Sequence, residues 1–193
     1  MKEKTKRIIN ITFLLLFVGS LIIGFSFPGF VSLGGEEKQR FGRFTFVRQG
    51  VQWSTYINNK QALFDYLPGD VLDIQPLTEH IVTLILGRYE IDTTSGVNDT
   101  YREAISYSQY ELANMMNFHY GTYVRIGMSA NNSFNLPVIT CNESTDILPV
   151  LYLRESNQTS IYTIGNCLIG EASSAQDIVR VKDRLLYSLL GII

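Results

Sequence analysis

An uncharged run of 20 residues near the start of the chain, residues 8–27, constrains the protein more than any other feature. It reads IINITFLLLFVGSLIIGFSF, and its polar residues are Asn10, Thr12, Ser20 and Ser26. At about 1.5 Å rise per residue, a helix of this length crosses the hydrocarbon core of a bilayer, which is roughly 30 Å thick. A helix also satisfies its own backbone hydrogen bonds in lipid. The run therefore predicts a transmembrane anchor.

A cleaved signal peptide is the alternative explanation for this run. Its apolar region would be about 7–15 residues long, and a cleavage site between small residues would follow it. The run here is longer, and the sequence Ser26-Phe27-Pro28-Gly29-Phe30 is a poor cleavage site. The sequence therefore favours an uncleaved anchor.

The basic residues beside the run indicate its orientation in the membrane. Residues 1–7 contain Lys2, Lys4, Lys6 and Arg7 against a single acidic residue. Basic residues that flank a membrane helix stay on the cytoplasmic side. We therefore expect a cytoplasmic tail over residues 1–7, contact with the lipid bilayer through the anchor, and an extracytoplasmic domain after it.

The remainder of the chain has room for one linker and one domain. Residues 28–40 have the composition of a linker, with Pro28-Gly29 and Gly34-Gly35 among them, and residues 41–193 suffice for a domain of ordinary size. From residue 30 onward, 12 Lys and Arg face 17 Asp and Glu, a net charge of −5. This charge gives no electrostatic basis for binding nucleic acid, and we expect none.

The two cysteines, Cys141 and Cys167, both lie in the domain. An oxidised pair would close a loop of roughly 25 residues and stabilise the domain by about 3.5 kcal/mol on the chain-entropy model. Disulfides persist outside the cytoplasm, so this pairing agrees with the predicted orientation. Two buried free thiols are the alternative.

Four Asn-x-Ser/Thr triplets in polar, turn-like context are candidate glycosylation sites. Their asparagines are Asn98, Asn131, Asn142 and Asn157. Such triplets arise often by chance, and their use would require the same extracytoplasmic location. A fifth triplet begins at Asn10, inside the predicted anchor, where we expect no modification.

Alternating apolar and polar residues predict a β-rich domain. Turns at Gln49-Gly50 and Asn58-Asn59 join three expected antiparallel strands into a meander. The expected strands of the meander lie near residues 44–47, 53–57 and 62–66. Further strands are expected near residues 81–92, 120–128, 137–141, 148–153, 160–164 and 167–171.

Two amphipathic helices are expected among these strands. The first begins at a capping box formed by Thr100 and Glu103 and continues to about residue 117. The second follows a cap at residues 174–177 and has charged residues on its polar side. The apolar residues at helical spacing are Ile105, Leu112 and Met116 in the first helix, and Ile178, Val181, Leu185, Leu189 and Ile192 in the second. The charged residues of the second helix are Arg180, Lys182, Asp183 and Arg184.

Together these patterns predict an α+β fold. The predicted transmembrane helix precedes a β-meander, and a mixed or antiparallel sheet with two packed helices follows. About eight strands are expected in total.

The residues that usually mark a catalytic, cofactor or metal site are sparse. The only histidines are His80 and His119, and no HExxH or CxxC spacing supplies further zinc ligands. There is no GxSxG nucleophile motif and no GxGxxG or GxxxxGK phosphate loop. We therefore expect no catalytic residues, no metal and no cofactor, although a Ser-His-Asp triad assembled in space stays open.

Two groups of residues remain candidates for function. Glu90 and Asp92 would share a strand face with Arg88 and could serve acid–base chemistry or calcium binding; a solvated face with a neighbouring cation is the alternative. Likewise, Asp70 and Asp73 fit turn chemistry near Pro68-Gly69. The candidate interaction surface is a cluster of tyrosines on the first helix: Tyr101, Tyr107 and Tyr110.

Several short segments resemble a known group of proteins. They are Glu90-Ile91-Asp92-Thr93-Thr94, Asn98-Asp99-Thr100-Tyr101, Tyr123-Val124-Arg125, Ile139-Thr140-Cys141, Gly165-Asn166-Cys167 and Asp183-Arg184-Leu185-Leu186-Tyr187 with Gly191. With them, most of the chain after the anchor is similar to small, uncharacterised, membrane-anchored extracytoplasmic proteins of archaea. That family has no assigned activity, so the resemblance implies no catalytic residue.

The sequence favours a non-catalytic module of the cell envelope that is anchored by its first helix and binds a protein partner. A cell-surface enzyme of the hydrolase type is the alternative, and it would bring Glu90, Asp92 or a histidine together with a nucleophile in one cleft. An accessory subunit of a membrane complex is a third hypothesis. In that case Gly19, Ser20 or Gly24 would allow close helix packing in the membrane.

Overall fold

Tight turns determine how the first part of the domain folds in the computed structural model, which describes residues 37–75 and 77–193. Four antiparallel strands pair in chain order to form the first sheet. At the hairpin between the third and fourth strands, Asn58 and Asn59 have φ of 50° and 63°, the left-handed conformation that two-residue hairpins require. The strands are β1 (Lys38–Phe41), β2 (Phe44–Gln49), β3 (Gln52–Ile57) and β4 (Lys60–Phe64).

A second sheet of five strands is mostly parallel. Its order is β6-β5-β7-β9-β8, in which β8 alone runs antiparallel to its neighbour. The four parallel strands therefore begin at one end of the sheet, here called the amino end, and finish at the other, the carboxyl end. The strands are β5 (Glu90–Thr94), β6 (Tyr123–Ile126), β7 (Val150–Glu155), β8 (Ser160–Ile164) and β9 (Cys167–Ala172).

Three α-helices occur in the described residues: α1 (Glu79–Ile85), α2 (Arg102–Tyr120) and α3 (Ala175–Leu189). Helix α2 connects β5 to β6, and its Gln109 amide donates to the hydroxyl of Thr93 on β5 at 3.2 Å. Helix α3 follows β9 and lies so close to it that a Cβ on Gly170 would be 2.8 Å from Val181. Both helices therefore pack on one face of the second sheet.

The main core lies between this helical face and the first sheet. Phe46 of β2 and Phe64 of β4 contact Tyr187 of α3, with ring centroids 6.0 and 4.1 Å away. Ile91, Leu151 and Leu168 contribute from the second sheet. The opposite face of that sheet is partly covered by the segment before β7, and a smaller cluster lies there: Ile139, Val150, Cys167 and Ile169.

The predicted α+β class is confirmed, and so are the meander, the mixed sheet and the helix after β9. The strand predicted over residues 81–92 is wrong in its first half, which forms α1. Thr78 caps this helix, since its hydroxyl accepts a hydrogen bond from the amide of Ile81. Ile81, Leu84 and Ile85 then bury one helical side. The described residues thus contain three α-helices, where the sequence predicted two for the domain.

Other boundaries differ from the prediction. Strand β1 takes up residues 38–40, which were predicted as linker. The strand predicted over residues 137–141 is reduced to one bridge, between Met128 and Val138, followed by a 3₁₀ turn over Cys141–Glu143. The predicted capping box is also wrong: α2 begins after Tyr101, and the amide of Thr100 donates to Glu155 at 2.7 Å.

The predicted tail, residues 1–7, and the predicted anchor, residues 8–27, lie outside the described residues. Within residues 37–75 and 77–193, no helix combines the length and the hydropathy needed to cross a membrane.

Candidate functional site

The acidic pair predicted on one strand face takes part in ion pairs with a neighbouring strand. Asp92 of β5 is buried, and its carboxylate accepts two hydrogen bonds from Arg125 of β6, at 2.8 and 2.7 Å. Glu90 lies 3.6 Å from the same guanidinium. The hydrogen bonds to Asp92 raise the pKa of Arg125. Arg88 precedes β5 and instead donates to the carbonyl oxygen of Leu84. The cation beside this acidic pair is thus Arg125 and not Arg88.

The two histidines lie in different environments. His80 is exposed in the first turn of α1. His119, at the end of α2, has its Nε2 atom 3.2 Å from the carbonyl oxygen of Gln61, and burial lowers its pKa. Within the described residues, no group of three or more His, Cys, Asp or Glu side chains could hold a metal ion.

The three tyrosines of the candidate interaction surface have different surroundings. The hydroxyl of Tyr101 donates to the carbonyl oxygen of Ser173 at 2.9 Å. The hydroxyl of Tyr107 donates to Asp65 at 2.8 Å. Tyr110 is the most exposed of the three. Their role as an interaction surface stays a prediction.

The predicted disulfide is present, between Cys141 and Cys167, with Cα atoms 5.2 Å apart. It ties the segment before β7 to the start of β9. The hydroxyl of Ser144 strengthens this connection, since it donates to the carbonyl oxygen of Asn166 and accepts from the amide of Val150. The segment is therefore held against the open face of the second sheet.

All four candidate glycosylation asparagines are exposed. Asn98, Asn131 and Asn157 follow the ends of β5, β6 and β7, so they lie toward the carboxyl end of the second sheet. Asn142 lies in the 3₁₀ turn beside the disulfide. Their glycosylation stays a prediction.

Helix α3 buries an ion cluster that the helical periodicity did not reveal. Lys182 has no exposed surface, and its ammonium lies 2.6 Å from the carboxylates of both Asp183 and Asp65. Asp183 also accepts hydrogen bonds from the amides of Asp65 and Tyr66, at 2.9 and 2.8 Å. Although desolvation opposes it, the attraction of Asp183 and Asp65 raises the pKa of Lys182. This cluster fastens α3 to the chain after β4.

The same helix holds the rest of residues 65–74 by hydrogen bonds to backbone groups. Arg180 donates to the carbonyl oxygen of Asp70 and forms an ion pair with Asp73. Arg184 donates to the carbonyl oxygen of Ile74 at 3.2 Å. The predicted polar side of α3 is therefore mostly covered, and its charged side chains stabilise the packing of residues 65–74 on the helix.

A second missed cluster lies on the open face of the second sheet. Glu171 of β9 is buried and accepts hydrogen bonds from Arg154 of β7 and Tyr162 of β8. Although desolvation opposes it, the hydrogen bonds from Arg154 and Tyr162 hold the pKa of Glu171 below its ordinary value. Since the carboxylate is fully engaged, this cluster joins three strands.

The loop after β6 is exposed, apolar and held in shape by side-chain hydrogen bonds. The side-chain oxygen of Asn132 accepts hydrogen bonds from the amides of Phe134 and Leu136, at 3.0 and 3.2 Å. Its amide nitrogen donates to the carbonyl oxygen of Leu136 at 3.0 Å. One side chain thus fixes the loop, here called the Asn132 loop (residues 129–138). It exposes Phe134 to 67%, together with Leu136 and Val138.

The base of the Asn132 loop is fixed to the sheet. The amide of Ser129 donates to the carbonyl oxygen of Ser95, beyond the end of β5. Where the chain returns to the sheet, the side chain of Ile139 lies close to Gly127. A Cβ atom on Gly127 would lie 2.5 Å from that side chain. Only glycine allows this contact. Sequence inspection missed the loop because Phe134, Leu136 and Val138 lie two positions apart. That is the spacing of a strand, and it gives no sign of the turn that the Asn132 side chain forms.

Comparison of the chain with protein-family models, curated proteins and solved structures finds no match, so the resemblance to archaeal membrane-anchored proteins stays a prediction.

Proposed function

We propose that the protein is a membrane-anchored, extracytoplasmic, non-catalytic interaction module of the cell envelope that binds a protein partner through the Asn132 loop. The single observation that supports this proposal is the loop itself: a buttressed turn whose tip exposes Phe134. The predicted anchor and the predicted side of the membrane are part of the proposal.

The chemistry of the loop suits binding. Aromatic side chains that enter a partner's pocket supply a large part of interface energy. Asn132 fixes the loop before binding, so less conformational entropy is lost when the partner docks. Asn135 also favours this loop shape, because its φ of 56° is a left-handed value that asparagine tolerates better than most residues. The loop therefore has both an apolar anchor and a preformed shape.

The disposition of the ionisable groups supports a non-catalytic role. Asp92 is paired with Arg125, Glu171 with Arg154, and Asp183 with Lys182. A surface hydrolase would instead need Glu90, Asp92 or a histidine beside a nucleophile in one cleft. Glu90 and Asp92 instead share Arg125, while His119 contacts Gln61 and His80 is exposed on α1.

The test is site-specific photocrosslinking in intact cells. A photoreactive phenylalanine analogue replaces Phe134. The matched control carries it at Val51, a comparably exposed position in the β2–β3 turn. We expect a discrete protein adduct from position 134 and none from position 51. Equal labelling at both positions, or none at either, would overturn the proposal.

A second variant separates recognition from folding. Asn132→Ala removes the four side-chain hydrogen bonds that shape the loop but keeps the Asn131-x-Ser133 triplet. We expect the adduct from position 134 to fall roughly tenfold, because a flexible loop pays an ordering cost on binding. The thermal unfolding midpoint should stay close to that of the wild type, because the loop lies outside the core. An unchanged adduct yield would contradict the role of Asn132.

A further inference from the structure

Exposed apolar side chains gather at the amino end of the second sheet. Tyr89 immediately precedes β5, Tyr123 begins β6, and Ile147 lies three residues before β7. Ile164 ends β8, which runs antiparallel and therefore finishes at the same end. These residues are 93%, 59%, 81% and 62% exposed, respectively. Such a concentration of large apolar side chains on one surface is a mark of a binding site.

Two basic turns of the first sheet lie at the same end. The pairings of Phe41 with Phe44 and of Ile57 with Lys60 place the β1–β2 and β3–β4 turns together. Lys60 donates to the carbonyl oxygen of Phe118 at 2.8 Å, at the end of α2 and just before β6. The turns therefore border the amino end of the second sheet.

The cations in these turns lie over aromatic rings. The Arg43 guanidinium is 5.0 Å from the ring centroid of Phe44, and the Lys60 ammonium is 5.5 Å from that of Phe118. Both basic residues are exposed. Two acidic residues, Glu90 and Asp146, lie at the same end, and Glu90 is within 3.6 Å of Arg125. We call Arg43, Lys60, Tyr89, Tyr123, Ile147 and Ile164 the amino-end surface.

An open cleft adds depth to this surface. It has a volume of about 500 Å³ and is lined by Gly87, Arg88, Tyr89, Glu90, Ile147 and Leu148. Its lining combines the apolar side chains of Tyr89, Ile147 and Leu148 with one cation, Arg88, and one carboxylate, Glu90. The cleft therefore suits an apolar chain, and the cations of the turns are left to attract an anionic head.

We infer that the amino-end surface lies on the lipid bilayer and binds anionic headgroups, an inference that rests on the proposed membrane anchor. Tyrosine rings favour the membrane–water interface, since the ring is apolar and the hydroxyl stays hydrated. Exposed Lys and Arg side chains are attracted to an anionic lipid surface. The surface has both components.

The length of the tether supports the bilayer as the occupant. Residues 28–37, between the predicted anchor and β1, span at most about 35 Å when fully extended. From Lys38, the turn end of β1 is three residues away, about 10 Å along a strand. The domain is therefore held near the membrane that contains its own anchor. The candidate glycosylation residues Asn98, Asn131 and Asn157 lie toward the opposite end, where attached glycans would face away from lipid.

The test uses the full chain reconstituted in lipid nanodiscs that contain about 30% anionic lipid. Tryptophan replaces Ile147, and the matched control is Val51→Trp, at a similarly exposed turn away from the amino end. The native Trp53 is buried and gives the same background in both. With acyl-brominated lipids, we expect roughly twofold quenching of the emission at position 147 and no change at position 51, since only the former reaches the interface.

The attraction between the two cations and the anionic headgroups has its own control. The double change Arg43→Gln and Lys60→Gln should reduce the quenching at position 147, and nanodiscs of neutral lipid should do the same. Equal quenching in neutral and anionic lipid would overturn the headgroup assignment.

The outcomes also separate this inference from the proposed function. If the chain does not enter nanodiscs at all, the proposed anchor is wrong. If it enters but position 147 is not quenched, the anchor stands and the lipid contact is overturned. Protection of position 147 by another protein from the native membrane, with no quenching, would assign the surface to a protein partner instead.

Discussion

Asp183 and Glu171 are both buried carboxylates, yet their surroundings shift their pKa values in opposite directions. Complete burial raises the pKa of Asp183 to about 6, despite the nearby Lys182 ammonium. Glu171 has hydrogen bonds from Arg154 and Tyr162, and these outweigh its desolvation and lower its pKa. The two residues therefore affect stability in opposite senses as the pH changes.

For Asp183, acid favours the folded state. Its folded pKa lies above its unfolded value, so its contribution is fully present below about pH 4 and is lost as the pH rises through about 6. We expect the difference in unfolding free energy, wild type minus Asp183→Asn, to decrease from pH 4 to pH 7 in urea titrations. A difference that grows over this range would contradict the raised pKa.

For Glu171, acid favours the unfolded state. Its folded pKa lies below its unfolded value, so its contribution is present above the unfolded pKa and is lost as the pH falls through the folded one. The difference in unfolding free energy, wild type minus Glu171→Gln, should therefore increase as the pH rises from about 3 to 6. Each variant serves as the control for the other, since they require slopes of opposite sign.

The residues of α3 show which burial the sequence could predict and which it could not. The periodicity of α3 correctly identified its buried apolar residues, such as Val181 and Leu185. It placed Lys182 and Asp183 on the polar side, because no local pattern reveals that Asp65, 117 positions from Lys182, covers them. A long-range contact decides their burial.

At the scale of secondary structure, the two long helices differ in how they begin. The hydroxyl of Ser174 accepts a hydrogen bond from the amide of Asp177 at 3.1 Å and caps α3, as the sequence predicted. At the start of α2, the predicted cap residue Thr100 makes no such bond, and the helix begins one residue later.

This difference gives a test of the caps. Ser174→Ala should lower the free energy of unfolding by about 1 kcal/mol, the usual cost of losing a helix cap. Thr100→Ala should cost less than half as much, since its backbone amide still reaches Glu155. Urea unfolding of both variants measures the comparison. Equal losses of stability would indicate that Thr100 caps α2, as the sequence predicted.

Elements with a strong period or a tight turn were predictable, and those decided by packing were not. The Asn58-Asn59 turn fixed the β3–β4 hairpin because its backbone conformation is local. The β-branched residues near Ile81 favoured a strand, but burial of Ile81, Leu84 and Ile85 against the core selects a helix. Phe134 and Leu136 of the Asn132 loop have the spacing of a strand, so the pattern did not reveal the turn that the Asn132 side chain forms.

For the whole molecule, the Cys141–Cys167 disulfide closes a loop that contains β7 and β8. Because this loop spans 26 positions, its loss should lower the free energy of unfolding by about 3.5 kcal/mol on the chain-entropy model. Urea unfolding with and without reductant measures it, and Cys141→Ala with Cys167→Ala should reproduce the reduced state. A change under about 1 kcal/mol would contradict this estimate.

If the amino-end surface lies on lipid, as proposed, the second sheet also determines how far the base of the Asn132 loop stands from the membrane. Six residues of β7 separate its two ends, and at about 3.3 Å per residue they span roughly 20 Å. Under that proposal, the strands act as a rigid spacer between the headgroups and the base of the Asn132 loop. A receptor must then offer its pocket at this height, so a flat protein confined to the headgroup layer is out of reach.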